Sequence, residues 1–165
     1  MLRKLKSILG IDNAVLIMSP IDGEVIPVTE TNDPIFSEEM LGKGVAIKPS
    51  SGCVLSPVNG TIDRMFETFH AVSLVSSDGV QLLIHIGMDT VNLKGEHFTS
   101  HVKTGDTVKT GDLLIEFDKD KIEQEGYDLT TPVVICNPDD YEIQANPYRN
   151  VSAGEKLIAL QKTGA

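Results

Sequence analysis

Apolar runs of four to seven residues recur along the chain, separated by clusters of Gly, Pro, Asn, Asp and Ser. The runs cover residues 14–18, 44–47, 71–75, 80–86, 112–117, 132–135 and 156–160. Each has strand length and is bounded by turn residues, so each is predicted to be a β-strand. Two segments carry helix punctuation instead. Residues 33–42 offer Asp33 as a cap, Pro34 at the first position and a terminal Gly42, and residues 118–126, from Asp118 to Gly126, have a similar outline. Many short strands with few helices predict an all-β fold, an antiparallel sandwich or barrel with a few short helices.

A repeat reinforces that reading. Ser19-Pro-Ile-Asp-Gly-Glu-Val-Ile echoes Ser56-Pro-Val-Asn-Gly-Thr-Ile-Asp, and Val108-Lys-Thr-Gly-Asp-Leu-Leu-Ile echoes Val151-Ser-Ala-Gly-Glu-Lys-Leu-Ile. Each half thus owns a Pro-x-x-Gly strand opening and a later Gly-acid-x-Leu-Ile strand. Two matched pairs predict a duplicated β motif rather than a solenoid.

Composition narrows the function classes. A net charge of −10 argues against general nucleic-acid binding, which needs a cationic face for phosphates. It suits partners with basic surfaces. Cys53 and Cys136 belong to no CxxC pair, so neither a zinc ribbon nor a redox dithiol is indicated, and two reduced thiols are expected. No apolar run approaches the roughly 20 residues of a membrane span, and the N-terminus lacks a signal-peptide core and cleavage site, so a cytoplasmic protein is expected. Residues 1–13 are set apart from a main domain at 14–165. Within them Leu2, Leu5, Ile8 and Leu9 share one helical face beside Arg3, Lys4 and Lys6. Residues 2–9 could therefore rest weakly on an anionic membrane surface, or be a frayed terminus.

The chemistry concentrates on two of the four histidines. In the run Gly79-Val-Gln-Leu-Leu-Ile-His85-Ile-Gly87-Met-Asp89-Thr90, strand alternation puts Val80, Leu82, Ile84 and Ile86 on one face and Gln81, Leu83 and His85 on the other. Gly87 ends the strand, and Asp89 and Thr90 are expected to return polar groups toward the imidazole. On this evidence alone His85 is either a reactive imidazole or a structural one held by Asp89. His70 is placed by the same alternation on a face with Val72 and Leu74. It opens its strand where His85 closes the next, so antiparallel pairing is expected to bring the two rings together. Two such histidines suit a phosphoryl site or two ligands of a metal, although zinc generally takes three or four protein ligands. His97 and His101 lie in polar sequence and receive no role.

The run from Gly79 to Val91 closely resembles the active-site signature of the glucose-family enzyme IIA proteins of the bacterial phosphoenolpyruvate-dependent sugar phosphotransferase system. The resemblance extends in order through Ser19-Pro-Ile-Asp-Gly, Leu41-Gly-Lys-Gly-Val-Ala-Ile-Lys-Pro, Ser56-Pro-Val-Asn-Gly-Thr-Ile, Phe66-Glu-Thr-Phe-His-Ala, Leu93-Lys-Gly-Glu, Gly105-Asp-Thr-Val and Thr131-Pro-Val-Val. It implies an antiparallel β-sandwich and a phosphoryl carrier. By this resemblance His85 accepts phosphate from HPr and donates it to a cysteine of enzyme IIB, His70 supports the phosphoryl group, Thr68 hydrogen-bonds His70 and Asp89 lines the site. Ile35, Phe36, Leu41, Phe66 and Leu83 match the partner-docking surface. Implied partners are HPr, the IIB/IIC sugar permease and regulated permeases or kinases. The resemblance implies no required cofactor, with zinc expected only between His70, His85 and a partner's carboxylate.

The sequence departs from the family pattern at Phe69, where several relatives carry a polar residue, and at Leu83, where some carry an aromatic. Two other classes are weighed. His85-Ile-Gly-Met-Asp89 has the His-x-x-x-Asp spacing of a lysostaphin-like zinc peptidase, but no His-x-His pair completes it. A biotinyl or lipoyl carrier would need a Met-Lys pair at a hairpin tip, which the sequence lacks.

Overall fold

The computed structural model describes residues 14–163. The amphipathic segment expected at residues 2–9 lies outside them. The described residues form fourteen strands. The largest sheet has eight, in the order β13 (Arg149–Val151), β2 (Gly23–Pro27), β3 (Lys43–Pro49), β11 (Thr131–Ile135), β7 (Gln81–His85), β6 (Ala71–Ser76), β5 (Gly60–Met65) and β9 (Thr107–Val108). Two three-stranded sheets complete the set. One runs β1 (Val15–Met18), β14 (Lys156–Lys162), β12 (Tyr141–Ala145), the other β4 (Cys53–Leu55), β10 (Leu113–Phe117), β8 (Phe98–Ser100). Their strand pairings are antiparallel.

One hydrophobic core joins the three sheets. Val25, Ile47, Ile62, Leu74, Leu82, Ile84 and Val133 of the large sheet meet Val54 and Ile115 of one small sheet and Ile17, Ile158 and Leu160 of the other. This is the predicted sandwich, built from branched aliphatics as a chain with 5% aromatic residues requires. Strand β7 keeps the expected alternation. Leu82 and Ile84 enter the main core, whereas Leu83 belongs to a second cluster with Val28, Phe36, Ala71, Met88 and Val134. That cluster underlies the histidines.

The sequence repeat is a repeat of hydrogen bonds. Ser19 and Ser56 are buried, and each donates its hydroxyl two residues ahead, to Ile21 O and Val58 O, both at 2.7 Å. The Ser19 N–H donates to Glu155 O and its carbonyl accepts from Gly154 N–H; Ser56 does the same with Asp112 and Gly111. Asp22 and Asn59 each present an Oδ1 to a backbone N–H, of Ala153 and Thr110 respectively. Gly23 and Gly60 open β2 and β5 where a Cβ would meet a carbonyl oxygen at 2.2 Å, so no larger residue fits at either. Each Pro-x-x-Gly opening is thus locked to one Gly-acid turn.

The two helices are shorter than expected. α1 spans Pro34–Ser37 and α2 spans Lys119–Gln124. Asp33 and Asp118 cap them as predicted, accepting from Ile35 N at 3.0 Å and Lys121 N at 3.1 Å. α1 stops because it buries a single side chain, Phe36, and Glu39 turns the chain with φ +58°. So short a helix relies on such an anchor rather than on propensity. Cys53 and Cys136 are free, as expected, and both are exposed.

Candidate functional site

Strand pairing builds the site. Ala71 pairs with His85 across β6 and β7, and the Ile86 N–H donates to His70 O at 2.7 Å. The two rings meet edge to face with centroids 4.9 Å apart. The expected juxtaposition therefore holds, but the face expected for His70 is corrected. Val72 and Leu74 enter the main core, while the His70 ring lies against His85 and, at 5.7 Å, Phe66. The cause is local. His70 precedes β6, and Phe69 has φ +57° in a turn closed by its N–H to Phe66 O. Strand alternation does not extend through such a turn.

Each ring has one nitrogen committed. His85 Nδ1 lies 2.8 Å from the Gly87 carbonyl. A carbonyl only accepts, so Nδ1 carries the proton and Nε2 keeps its lone pair. Gly87 can present that carbonyl because it adopts φ +79°, and a Cβ there would meet Thr90 Cγ2 at 2.7 Å and Asp128 O at 3.0 Å. His70 Nδ1 lies 2.5 Å from Thr68 Oγ1, which places Thr68 beside His70 as the resemblance implied.

Burial sets the charge state. His70 is 5% exposed, and its pKa is pushed down to about 4 by desolvation first and the neighbouring His85 second. His85 is also lowered by burial, against the opposing pull of the Gly87 carbonyl, Asp33 and Asp89. Both rings are therefore neutral at pH 7. The unfolded chain, with histidines near 6.5, binds more protons than the fold below that pH, so stability is complete above about 6.5 and declines as pH falls toward 4. Each histidine contributes a limiting slope of about 1.4 kcal/mol per pH unit. Urea denaturation from pH 6.5 to 5 is expected to show a steeper decline for this chain than for His70→Gln, which has no ring to protonate. Equal slopes would contradict this burial account.

Other expected positions fare differently. Asp89 is exposed, with φ +60°, and influences His85 through its charge. Thr90 is turned away from the imidazole, because its buried hydroxyl donates to Ile86 O. Among the docking residues, Ile35 and Leu41 are exposed at 44% and 45%, and Phe66 is half-buried beneath the Arg64 guanidinium. Phe36 and Leu83 need correction, since both are buried in the second cluster; the Phe36 ring lies 4.9 Å from His85 and floors the site. The outward apolar residues on these flanking elements include Met40 and Val91, which strand and helix periodicity did not select. Asp33 had signalled only a helix cap, yet its carboxylate also acts on His85.

The metal reading is limited by donor number. Among the described residues no group of three or more His, Cys, Asp and Glu is placed to hold an ion. His70 and His85 have one uncommitted nitrogen each, short of a zinc set. The His-x-x-x-Asp spacing at His85 and Asp89 therefore does not become a peptidase centre. No described helix is long and apolar enough to cross a membrane.

Comparison with known proteins adds the chemistry that such a site performs elsewhere. The family model for the phosphoenolpyruvate-dependent sugar phosphotransferase system, EIIA 1, matches residues 15–141. The chain is 46% identical over 145 residues to a glucose-specific EIIA component of Oceanobacillus iheyensis, covering 87% of this chain and 88% of that one. It is 50% identical to a β-glucoside-specific EIIBCA component of Dickeya chrysanthemi and 45% identical to one of Bacillus subtilis, covering 76% and 88% of this chain. The match spans only 20% and 24% of those two longer relatives. Among solved structures, glucose permease IIA from Mycoplasma capricolum superposes with a TM-score of 0.85 at 31% identity, covering 90% of this chain and 97% of that one.

Proposed function

The chain belongs to the EIIA 1 family of the phosphoenolpyruvate-dependent sugar phosphotransferase system, and from that premise we propose that His85 is the atom-bearing residue of its phosphorelay. The protein is a glucose-type phosphotransferase component, a phosphoryl carrier in sugar uptake. The observation that supports His85 is its fixed tautomer: Nδ1–H bonded to Gly87 O, leaving a neutral Nε2 lone pair beside a second, buried imidazole.

The proposed step begins with HPr carrying phosphate on its own histidine. The Nε2 lone pair of His85 attacks phosphorus in line, the donor N–P bond breaks and its electrons return to the donor ring. Onward transfer is the same displacement, with a IIB cysteine thiolate as the attacking group and Nε2 as the leaving atom. Little bond chemistry falls to the protein, so positioning and charge stabilisation dominate. As N–P bonding draws electrons from the ring, the Gly87 carbonyl and the Asp33 and Asp89 carboxylates offset the positive charge that develops. In the tautomer this role requires, the Thr68 hydroxyl donates to His70 Nδ1, 2.5 Å away, and His70 carries its proton on Nε2 for a phosphoryl oxygen. The Met88 N–H is not free to join His70 there, because it is already given to Asp128 O at 2.8 Å.

The exposed apolar side chains Ile35, Met40, Leu41 and Val91 are proposed as the apolar rim that receives HPr and IIB and keeps water from the transfer. The chain works at the cytoplasmic side of a IIB/IIC sugar permease. A zinc ion shared by the two Nε2 atoms would need a partner's carboxylate to complete its ligands. The test is incubation with phosphoenolpyruvate, enzyme I and HPr. Acid-labile phosphate is expected on the chain, and addition of a matching IIB domain should discharge it. No uptake of phosphate would refute the proposal.

A further inference from the structure

Two loops reach His85, and one residue grips both. The first is the turn after β7. Its Gly87 carbonyl fixes the His85 tautomer, and its Met88 N–H is held by the Asp128 carbonyl at 2.8 Å. The second is the approach to α1. It carries Asp33, whose charge acts on His85, and Phe36, whose ring lies 4.9 Å from the imidazole. Asn32 immediately precedes Asp33, and its Nδ2 donates to Asp128 Oδ2 at 3.1 Å. The other oxygen of that carboxylate, Oδ1, accepts from the Thr130 N–H at 2.9 Å and hydroxyl at 2.7 Å. Burial works against ionisation of Asp128, yet the Thr130 donors, Asn32 and Lys48 together hold its carboxyl below its ordinary value. It is an anchored anion with its main chain on one loop and its side chain on the other. Neither Asn32 nor Asp128 hydrogen-bonds to His85, whose Nδ1 is held by Gly87 O.

We infer that Asn32 and Asp128 are positioning residues for phosphoryl transfer, clamping the Asp33–Phe36 approach against the Gly87 turn so that both loops keep their station at His85. This rests on the role proposed above for that histidine. Without the clamp, the approach to α1 retains the Thr31 hydroxyl bond to Val28 O at 2.8 Å. The fold therefore survives, while Asp33, Phe36 and the Gly87 carbonyl are held less firmly against the ring. A loss of this kind should act on the rate of the transfer step and not on docking, because neither residue is part of the exposed apolar rim.

The test compares the full chain with Asn32→Ala and Asp128→Asn. The first replaces an exposed side chain, so its thermal stability should stay near that of the parent. Single-turnover acceptance from phospho-HPr is expected to fall about three- to tenfold at saturation, the range one such hydrogen bond can control, with the half-saturating concentration unchanged. Solvent exchange of the His85 Nδ1 proton, read by NMR without any phosphate, is expected to quicken in both variants as its bond to Gly87 O becomes less persistent. Unchanged rates and unchanged exchange in Asn32→Ala overturn the clamp, even if Asp128→Asn is impaired, since the Thr130 bonds alone would then explain the latter. If the parent chain itself takes no phosphate at His85, the proposed role of His85 fails, and the exchange measurement still decides the clamp.

Discussion

Alanine in place of His85 is expected to leave a folded chain that accepts no phosphate from phospho-HPr. The loss should be complete to the detection limit, because the change removes the nucleophile itself. No other described side chain duplicates its setting. His70 is more deeply buried, and its pKa is pushed down to about 4, while His97 and His101 are engaged with Glu125 and Glu116. The structural cost should be moderate. His85 is only partly buried, and the strand pair it belongs to is held by backbone bonds and by Leu82 and Ile84 in the core. Circular dichroism together with a phosphate-transfer assay checks both halves. Transfer at the parent rate in a folded variant would remove the nucleophile from the account.

His70→Ala is expected to separate the two directions of transfer. Acceptance should persist, since Nε2 of His85 remains neutral and the Gly87 carbonyl still fixes its tautomer. Onward transfer should slow by about 10²- to 10³-fold, the typical cost of losing one hydrogen-bond donor to charge that grows in a transition state. The asymmetry follows from where help is available. During acceptance the docked HPr site can still share the phosphoryl charge. During release the group must leave a ring whose own surroundings, Asp33 and Asp89, are anionic, so the donor on this chain matters more. Thr68 should reproduce part of the effect, because its hydroxyl at 2.5 Å orients the His70 ring. Discharge of pre-phosphorylated protein by a IIB domain, measured by quench flow, reads the effect. Equal slowing of both directions would assign His70 a structural role instead.

Much of this site is legible in the sequence. Period-two alternation placed Leu82 and Ile84 in the core and His85 on the opposite face, because β7 is a regular strand. Opposed strand ends brought His70 to it. The repeated Pro-x-x-Gly openings were readable because Gly23 and Gly60 are demanded by the same close backbone contact. What failed to show has a common cause. The face of His70 is set by a left-handed Phe69, which alternation cannot anticipate. The tautomer of His85 is set by a main-chain carbonyl, and main-chain groups carry no residue identity. The link between Asn32 and Asp128 joins residues 96 positions apart through one exposed hydrogen bond, which leaves no periodic trace. The resemblance put Phe36 and Leu83 on the docking surface, but their neighbours cover them. Strands β12 and β13, which set one core residue each, Tyr141 and Val151, among polar or half-buried neighbours, lacked the apolar runs that marked seven of the strands, as did the short β4, β8 and β9.

The central claim is atomic: the phosphoryl group rides on Nε2 of His85. Phosphorylating the uniformly ¹⁵N-labelled chain with phosphoenolpyruvate, enzyme I and HPr, then recording phosphorus–nitrogen couplings on the histidine rings, addresses that atom directly. The account predicts a coupling to His85 Nε2, with Nδ1 still protonated and bonded to the Gly87 carbonyl. Phosphate on Nδ1 of His85, or on any other histidine, would contradict it.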